Sequence, residues 1–362
     1  MRRYWQRAPL LVRGAFPGFA DPLSPREVLA LAGSRDAVAR LVQRRGTRWS
    51  VDHGPIPALR FKQLPRRGWT VLVQDANHFS ARARELLAHF DFVPHARIDD
   101  VMVSYAVPGG GVGPHVDSYD VFLIQGRGRR RWQVSRQEDH AFVPGLDLKI
   151  LRRFRPAQEW VLEPGDMLYL PPGVAHNGIA ESECLTWSIG FRAPSDREVV
   201  AGFLDFLDER VAPRGRYSDP GVAPARHPGE VPPGMIAHVS RALASSVRWS
   251  AADVRDFAGR YLTEPKQNAV FAPPARPLAR AAFERRARAT GLALDPRSRL
   301  LFSGTMLYLN GEAGRVPARA GGLIRRLADE ARLPAPVRAP RGFWDAAHAW
   351  YLHGFVHAGE DA

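Results

Sequence analysis

The chain has 362 residues, enough for two or three domains, and its 45% apolar content supports ordinary globular cores. It carries no 18-residue apolar run that reads as a membrane span, and its one cysteine, Cys184, excludes an intramolecular disulfide and any cysteine-based zinc or iron–sulfur site within the chain. The formal charge of +14 points toward nucleic acid, yet arginine supplies 48 of the 51 basic residues, a lopsidedness that reads partly as codon composition. The N-terminal MRRYWQRAPLLVRGAF begins positive but lacks a long apolar segment and a small-residue cleavage site, so no signal peptide is expected. Together with the lone cysteine, this fits a cytoplasmic protein.

Taken in chain order, the first two hundred residues read as one β-rich domain with intervening helices. Ser24–Arg44 is expected to be helical, with Ser24 as N-cap and Pro25 at the first helical position, and Ser80–Phe90 is a second helix. Short apolar runs at Trp69–Gln74, Val101–Val107, Val121–Gln125, Trp160–Leu162, Met167–Leu170 and Leu185–Phe191 are bounded by Gly, Pro and Asp turns. That is the strand-and-turn rhythm of a barrel or sandwich.

Pro and Gly thicken between Ala212 and Gly234, marking a connector. Met235–Leu262 then reads as helical, with an apolar stripe at Ile236, Val239, Leu243 and Val247 that needs a partner and predicts a homodimer. A second break at 264–277 leads to a helix at Leu278–Thr290, a hairpin-like pair at Arg299–Phe302 and Met306–Asn310, and helices at Gly322–Ala331 and Gly342–Gly354. Helix, strands and helix in under a hundred residues predict a small winged-helix-like module. Residues 266–362 hold 15 Arg or Lys against 8 Asp or Glu, half the net charge of the chain. This module is therefore a candidate contact with RNA or a ribonucleoprotein, the alternative being a solvated arginine-rich surface.

The chemistry-bearing residues lie in the β-rich part. His115 and Asp117 are separated by one residue, so on a strand both point to one face, and His176 follows 59 positions after Asp117 behind the turn Pro164-Gly165-Asp166. Two histidines and one carboxylate with open coordination positions suit a non-haem Fe(II) oxygenase. After the ligand pair comes an apolar strand, a glycine-containing turn, and Arg129-Arg130-Arg131-Trp132. Alternation separates Arg130 and Trp132 from Arg129 and Arg131, and an inward Arg130 requires an anion. The C5 carboxylate of 2-oxoglutarate meets that need, because guanidinium–carboxylate pairing is bidentate and charge-assisted.

The run PGGGVGPHVDSYDVFLIQGRGRRRW closely resembles the bacterial ribosomal oxygenases, JmjC-type cupin 2-oxoglutarate oxygenases related to the human ribosomal histidyl hydroxylases. FPGFADPLSPREVLALA (16–32), RWSVDHGP (48–55), ARIDDVMVSYAVPGGG (96–111), GFRAP (190–194) and YLTEPK (261–266) extend the likeness over roughly residues 4–266. The resemblance implies a mainly β plus α chain. On this resemblance a double-stranded β-helix (cupin/JmjC) domain would span 1–205, a helical dimerisation region 206–265 and a winged-helix-like domain 266–362. It also implies Fe(II) at His115, Asp117 and His176, 2-oxoglutarate at Arg130, and O2 as co-reactant. Arginine, rather than lysine, fifteen positions beyond His115 is typical of the bacterial branch. In that branch the implied substrate is an arginine of large-subunit ribosomal protein sixteen, hydroxylated at the β-carbon.

Asp100, Met102 and Ser104 share one strand face, and Tyr119 shares parity with His115 and Asp117 if that strand continues. Asp100 can pair with a guanidinium, Tyr119 can hydrogen-bond or stack on it, and Met102 can line its alkyl stem. Ser104 and Ser188 offer hydroxyls toward the cosubstrate. Asp100 also has a plainer reading, as a strand-entry turn residue beside Asp99. The alternatives within the fold are a ribosomal histidyl hydroxylase and a protein lysine demethylase. Outside it stand a non-catalytic metal-binding cupin with an RNA-binding C-terminal module, and a DNA-binding regulator suggested only by the winged helix.

Overall fold

The computed structural model describes residues 2–211, 216–224, 226–246 and 248–359. Parts of the connector read at Ala212–Gly234, and Val247 of the apolar stripe, lie outside the described residues.

Twelve strands build the first unit: β1 Leu10–Val12, β2 Ala39–Arg45, β3 Arg48–His53, β4 Trp69–Val73, β5 Ile98–Ala106, β6 His115–Val116, β7 Asp120–Gln125, β8 Arg130–Ser135, β9 Gln158–Leu162, β10 Met167–Leu170, β11 Ala175–Ala180 and β12 Cys184–Phe191. They form an eight-stranded sheet in the order β1-β10-β7-β12-β5-β4-β2-β3 and a four-stranded sheet in the order β6-β11-β8-β9. Every pairing is antiparallel.

The inner faces of the two sheets close on one another. Val121, Leu123, Leu168 and Leu170 of the large sheet cluster with Trp132, Val134 and Leu162 of the small one. On the other side of the large sheet, Val101, Val103 and Tyr105 of β5 and Leu185, Trp187, Ile189 and Phe191 of β12 enter the main core. The alternating positions, Asp100, Met102 and Ser104 on β5 with Thr186, Ser188 and Gly190 on β12, therefore face the space between the sheets. One strand face is packed with apolar side chains, and the other is polar and small. That division makes a lined interior rather than a solid one.

Two expected helices take a different form. Ser24 caps its helix through a capping box with Glu27, but the helix ends at Ala32, and Ala39–Arg45 is β2, paired on both sides with β3 and β4. A side-chain carbon on Gly33, the C-cap, would sit 3.1 Å from the Ile56 carbonyl oxygen, so the chain turns there against its neighbour. The apolar spacing at Ala37, Ala39, Leu41 and Val42 satisfies both a helical and a strand period over so short a stretch. The segment Met235–Leu262 is two helices, Pro233–Ser246 and Ala251–Thr263. The break comes where the Ser250 side chain accepts from the Asp253 amide and closes a capping box of its own.

The C-terminal unit contains helices Arg280–Thr290, Gly321–Glu330 and Arg341–Leu352 around two three-stranded sheets. The expected pair is observed as Leu300–Ser303 with Met306–Leu309, joined by a third strand, Glu312–Arg315. This unit docks on the first. Arg299 donates to the carbonyls of Ile98 at 3.0 Å and Asp99 at 2.6 Å, and the Gly311 amide donates to Thr263 Oγ1 at 3.1 Å. A side chain on Gly259 would strike the Tyr308 ring at 2.4 Å, so the helix and the hairpin approach closely only because that position is glycine. Among the described residues no helix is long and apolar enough to cross a membrane.

Candidate metal centre and active site

The register of β6 on β11 sets His115 directly opposite His176. Asp117 follows just beyond β6, and its carboxylate lies 3.8 Å from His115 Nε2 and 3.6 Å from His176 Nε2. One ligand atom from each residue falls within 4.8 Å of the others. Both imidazoles are oriented in the same way. His115 Nδ1 lies 2.9 Å from the Gly113 carbonyl and His176 Nδ1 lies 2.9 Å from the Val174 carbonyl, each two residues upstream. Donation from Nδ1–H leaves Nε2 unprotonated and aimed at the shared point, as a metal-binding histidine requires. Burial, reinforced by His115, pushes the His176 imidazole down to about 4, so it is neutral near pH 7. The donor set fits Fe(II).

Arg130 lies on β8 opposite Ala180 and Leu162 and points inward, 5% exposed. Its Nη1 donates to Ser104 Oγ at 3.1 Å, but its Nε and Nη2 are buried without a hydrogen-bond partner. Its neighbours differ. Arg131 is held outside by Glu159 and Glu181, and the exposed Arg129 lies 3.9 Å from Glu181. A buried guanidinium with two unsatisfied nitrogens is costly, and a carboxylate satisfies both. The cradle therefore fits the distal carboxylate of 2-oxoglutarate. Ser188, opposite Met102 and Leu123, lies on the same interior wall.

Asp100 occupies the other end of that wall. Its Oδ2 accepts from the Asp75 amide at 3.2 Å and lies 3.8 Å from Lys266 Nζ. Its Oδ1 faces Gly190: a side-chain carbon built there would stand 3.3 Å from Asp100 Oδ1 and 3.9 Å from Tyr119 Cε2. The absent side chain leaves a narrow slot beside carboxylate and aromatic ring, tight for even one added carbon. Burial raises the Asp100 carboxyl to about 6, with Lys266 pulling it down and Asp99 and Asp75 pushing it up. The strand carrying His115 does not continue to Tyr119, because β6 ends at Val116. Tyr119 nonetheless reaches the slot from a turn, and its hydroxyl is raised above its ordinary value by burial and by the carboxylates of Asp117, Asp100 and Asp99.

Asp120 points elsewhere: it is fully buried and accepts from Tyr169 at 2.5 Å, Gln6 at 2.9 Å and Arg97 at 3.0 Å. Asp75, Gly190 and Lys266 received no role from the sequence. Gly190 and Lys266 lie inside the motifs GFRAP and YLTEPK, but their spacing announces no chemistry.

A JmjC-domain model matches residues 85–199, and a ROXA-like winged-helix model matches residues 246–357. The chain is 37% identical over 278 residues to the Escherichia coli ribosomal protein uL16 3-hydroxylase, covering 76% of this chain and 74% of that protein. The crystal structure of E. coli YcfD superposes with a TM-score of 0.85 at 33% identity, covering 98% of this chain and 96% of that one. YcfD in complex with cobalt and 2-oxoglutarate matches with a TM-score of 0.80 over the same coverage.

Proposed function

The chain belongs to the JmjC ribosomal oxygenases, and from that premise we propose that it hydroxylates the β-carbon of an arginine side chain in the large-subunit ribosomal protein uL16. It is an Fe(II)- and 2-oxoglutarate-dependent dioxygenase. The observation that carries the arginine reading is the convergence of Asp100 Oδ1 and Tyr119 on Gly190: a buried carboxylate and a ring edge meet at a position that carries no side chain.

In this reading His115, Asp117 and His176 hold the metal, and Arg130 with Ser104 and Ser188 holds the cosubstrate. When bound, iron and 2-oxoglutarate supply the oxidising power that places an oxygen from O2 on an unactivated C–H bond. The chain supplies position. Arg130 fixes the cosubstrate by its far carboxylate and so sets the keto-acid end toward the ligand triad. Asp100 takes the guanidinium, Tyr119 and Met102 flank the stem, and the substrate's β-carbon is thereby held on the metal side of the slot. No side chain of the protein has to give or take a proton from the reacting carbon.

The exposed apolar residues Val200 and Leu204 on the helix Asp196–Asp208, and Ile236, Val239 and Leu243 on the helix Pro233–Ser246, support a homodimer through this region. The division at 1–205, 206–265 and 266–362, a cytoplasmic location, and contact of the basic C-terminal module with ribosomal RNA or the assembling large subunit complete the reading. The test is the mass of uL16 from cells with and without this gene. Loss of one oxygen from an arginine-containing peptide of uL16 is expected when the gene is absent. An unchanged uL16, with another ribosomal protein shifted or none, would reject the substrate.

A further inference from the structure

Lys266 is one of three lysines in the chain, and it follows directly on the helix that carries the C-terminal unit. Its Nζ lies 2.9 Å from Asp75 Oδ1, 3.1 Å from Asp99 Oδ1 and 3.8 Å from Asp100 Oδ2. Asp75 belongs to the turn after β4, where it adopts a left-handed conformation (φ 53°), and its amide holds Asp100 Oδ2. Asn268 donates to Asp75 Oδ2 at 3.2 Å, so the segment bearing Lys266 grips the turn twice.

The other charged groups facing this cluster do not replace the lysine. Arg192 and Arg299 approach only Asp99, at 3.7 and 3.8 Å, and Arg299 spends its donors on the Ile98 and Asp99 carbonyls. Arg297 is engaged by Asp295. Burial drives the His78 imidazole down to about 4, so it is neutral near pH 7. The hydroxyl of Tyr119 stays protonated. Lys266 is thus the cation nearest Asp100, shared among three carboxylates, a task that suits an ammonium with three freely directed donors better than a planar guanidinium.

We propose that Lys266 is a positioning residue for substrate recognition: by holding Asp75, Asp99 and Oδ2 of Asp100 together it presents Oδ1 of Asp100 to the slot, and so makes binding of the substrate cation depend on docking of the C-terminal unit. This rests on Asp100 receiving the substrate guanidinium, as argued above. Without the ammonium, three clustered carboxylates face one another across a partly dry site, and Asp100, whose carboxyl burial already raises, is the one that takes up a proton. The consequence has a sign. An Asp100 carboxyl raised still further is neutral at neutral pH and ionised only in alkali, so peptide binding should fail near neutrality and return as pH rises.

The test measures binding of a fluorescent arginine-containing uL16 peptide to the full-length Mn(II)-loaded protein with 2-oxoglutarate. Lys266→Met should weaken the peptide about tenfold near pH ~7 and less than about threefold near pH ~9, as a carboxyl raised by roughly two further units requires. Lys266→Arg should recover most of the loss, and 2-oxoglutarate affinity reports that the variant is folded. Equal weakening at both pH values would mean a purely structural contact, and no weakening would mean no role; either overturns the proposal.

If Asp100→Asn binds the peptide like wild type, the recognition reading itself fails. If Asp100→Asn loses the peptide while Lys266→Met keeps it, only the role of Lys266 fails. Should neither lysine variant fold, the wild-type protein still decides. Its peptide affinity should fall as pH drops through about 6, and a flat profile from about pH 5 to 8 would overturn the proposal.

Discussion

Two opposite charge imbalances sit four residues apart on one face of β5. At Ser104 a buried guanidinium, Arg130, has two nitrogens without partners and no carboxylate among the described residues. At Asp100 the sign is reversed: a buried carboxylate whose nearest cation, Lys266 at 3.8 Å, is shared with Asp75 and Asp99, while Arg192 and Arg299 pair with Asp99. A strand rises roughly 3.3 Å per residue, so the two lie on the order of 13 Å apart along a single wall. Each imbalance is costly in the empty protein and is relieved by a ligand of complementary charge. An anion belongs at one end and a cation at the other. In the proposed reading, the difference separates cosubstrate from substrate.

The metal triad serves both ends, so its loss should erase the contrast altogether. His115→Ala, Asp117→Ala and His176→Ala are each expected to reduce succinate formation at least about a hundredfold, because each removes one of three ligands. Wild-type-like succinate release from any of them would break the assignment. Arg130→Ala should act at one end only. A charge-assisted pair of this kind contributes about 1.5–3 kcal/mol, so the 2-oxoglutarate requirement should rise roughly ten- to a hundredfold while metal affinity holds. An unaltered requirement would place the cosubstrate elsewhere.

Asp100→Asn probes the other end. Arginine hydroxylation should drop by roughly an order of magnitude or more, with 2-oxoglutarate binding and some uncoupled succinate release preserved. Normal hydroxylation would make Asp100 structural. A finer cut is Gly190→Ala, whose new methyl would stand 3.3 Å from Asp100 Oδ1 and 3.9 Å from Tyr119. It should fold, raise the peptide KM severalfold, about 1 kcal/mol, and leave the 2-oxoglutarate requirement alone. Equal effects on both ligands would show that the two ends are not independent. The smallest effect expected on activity is that of Tyr169→Phe, which removes one donor to Asp120, a carboxylate bound by Tyr169, Gln6 and Arg97. It should cost about 1 kcal/mol of stability, read as a lower melting temperature, with kinetics unchanged.

The sequence displayed these two ends unequally. His115, Asp117 and His176 were legible because metal ligation requires particular side chains at particular parity, and Arg130 because a charge entering an interior strand needs an explanation. Asp100 was legible as a strand-face residue. Its real surroundings were not, since Asp75, Lys266 and Asn268 come from segments far apart in the chain and meet only when the C-terminal unit docks. Tyr119 reached the slot by a turn, although alternation had assumed a strand. The β2 segment failed for a different reason: its apolar spacing is too short to choose between two periods, and pairing with β3 and β4 made the choice.

The ligand strand β6 is two residues long, and one of its two pairings on β11 is His115 against His176. So short a strand has little hydrogen bonding of its own to resist fraying. A metal held by His115 and His176 would act there as a clasp, and mass action would transmit its binding energy to the local opening equilibrium. At a free metal concentration a hundredfold above its dissociation constant, the clasp opposes opening by about 2.7 kcal/mol. Amide exchange at His115, Val116 and Ala175 should therefore slow steeply as metal is added, while exchange in the β5–β12 pair, closed by its own long ladder, stays the same. The edge of the small sheet would then serve as an internal gauge of metal occupancy.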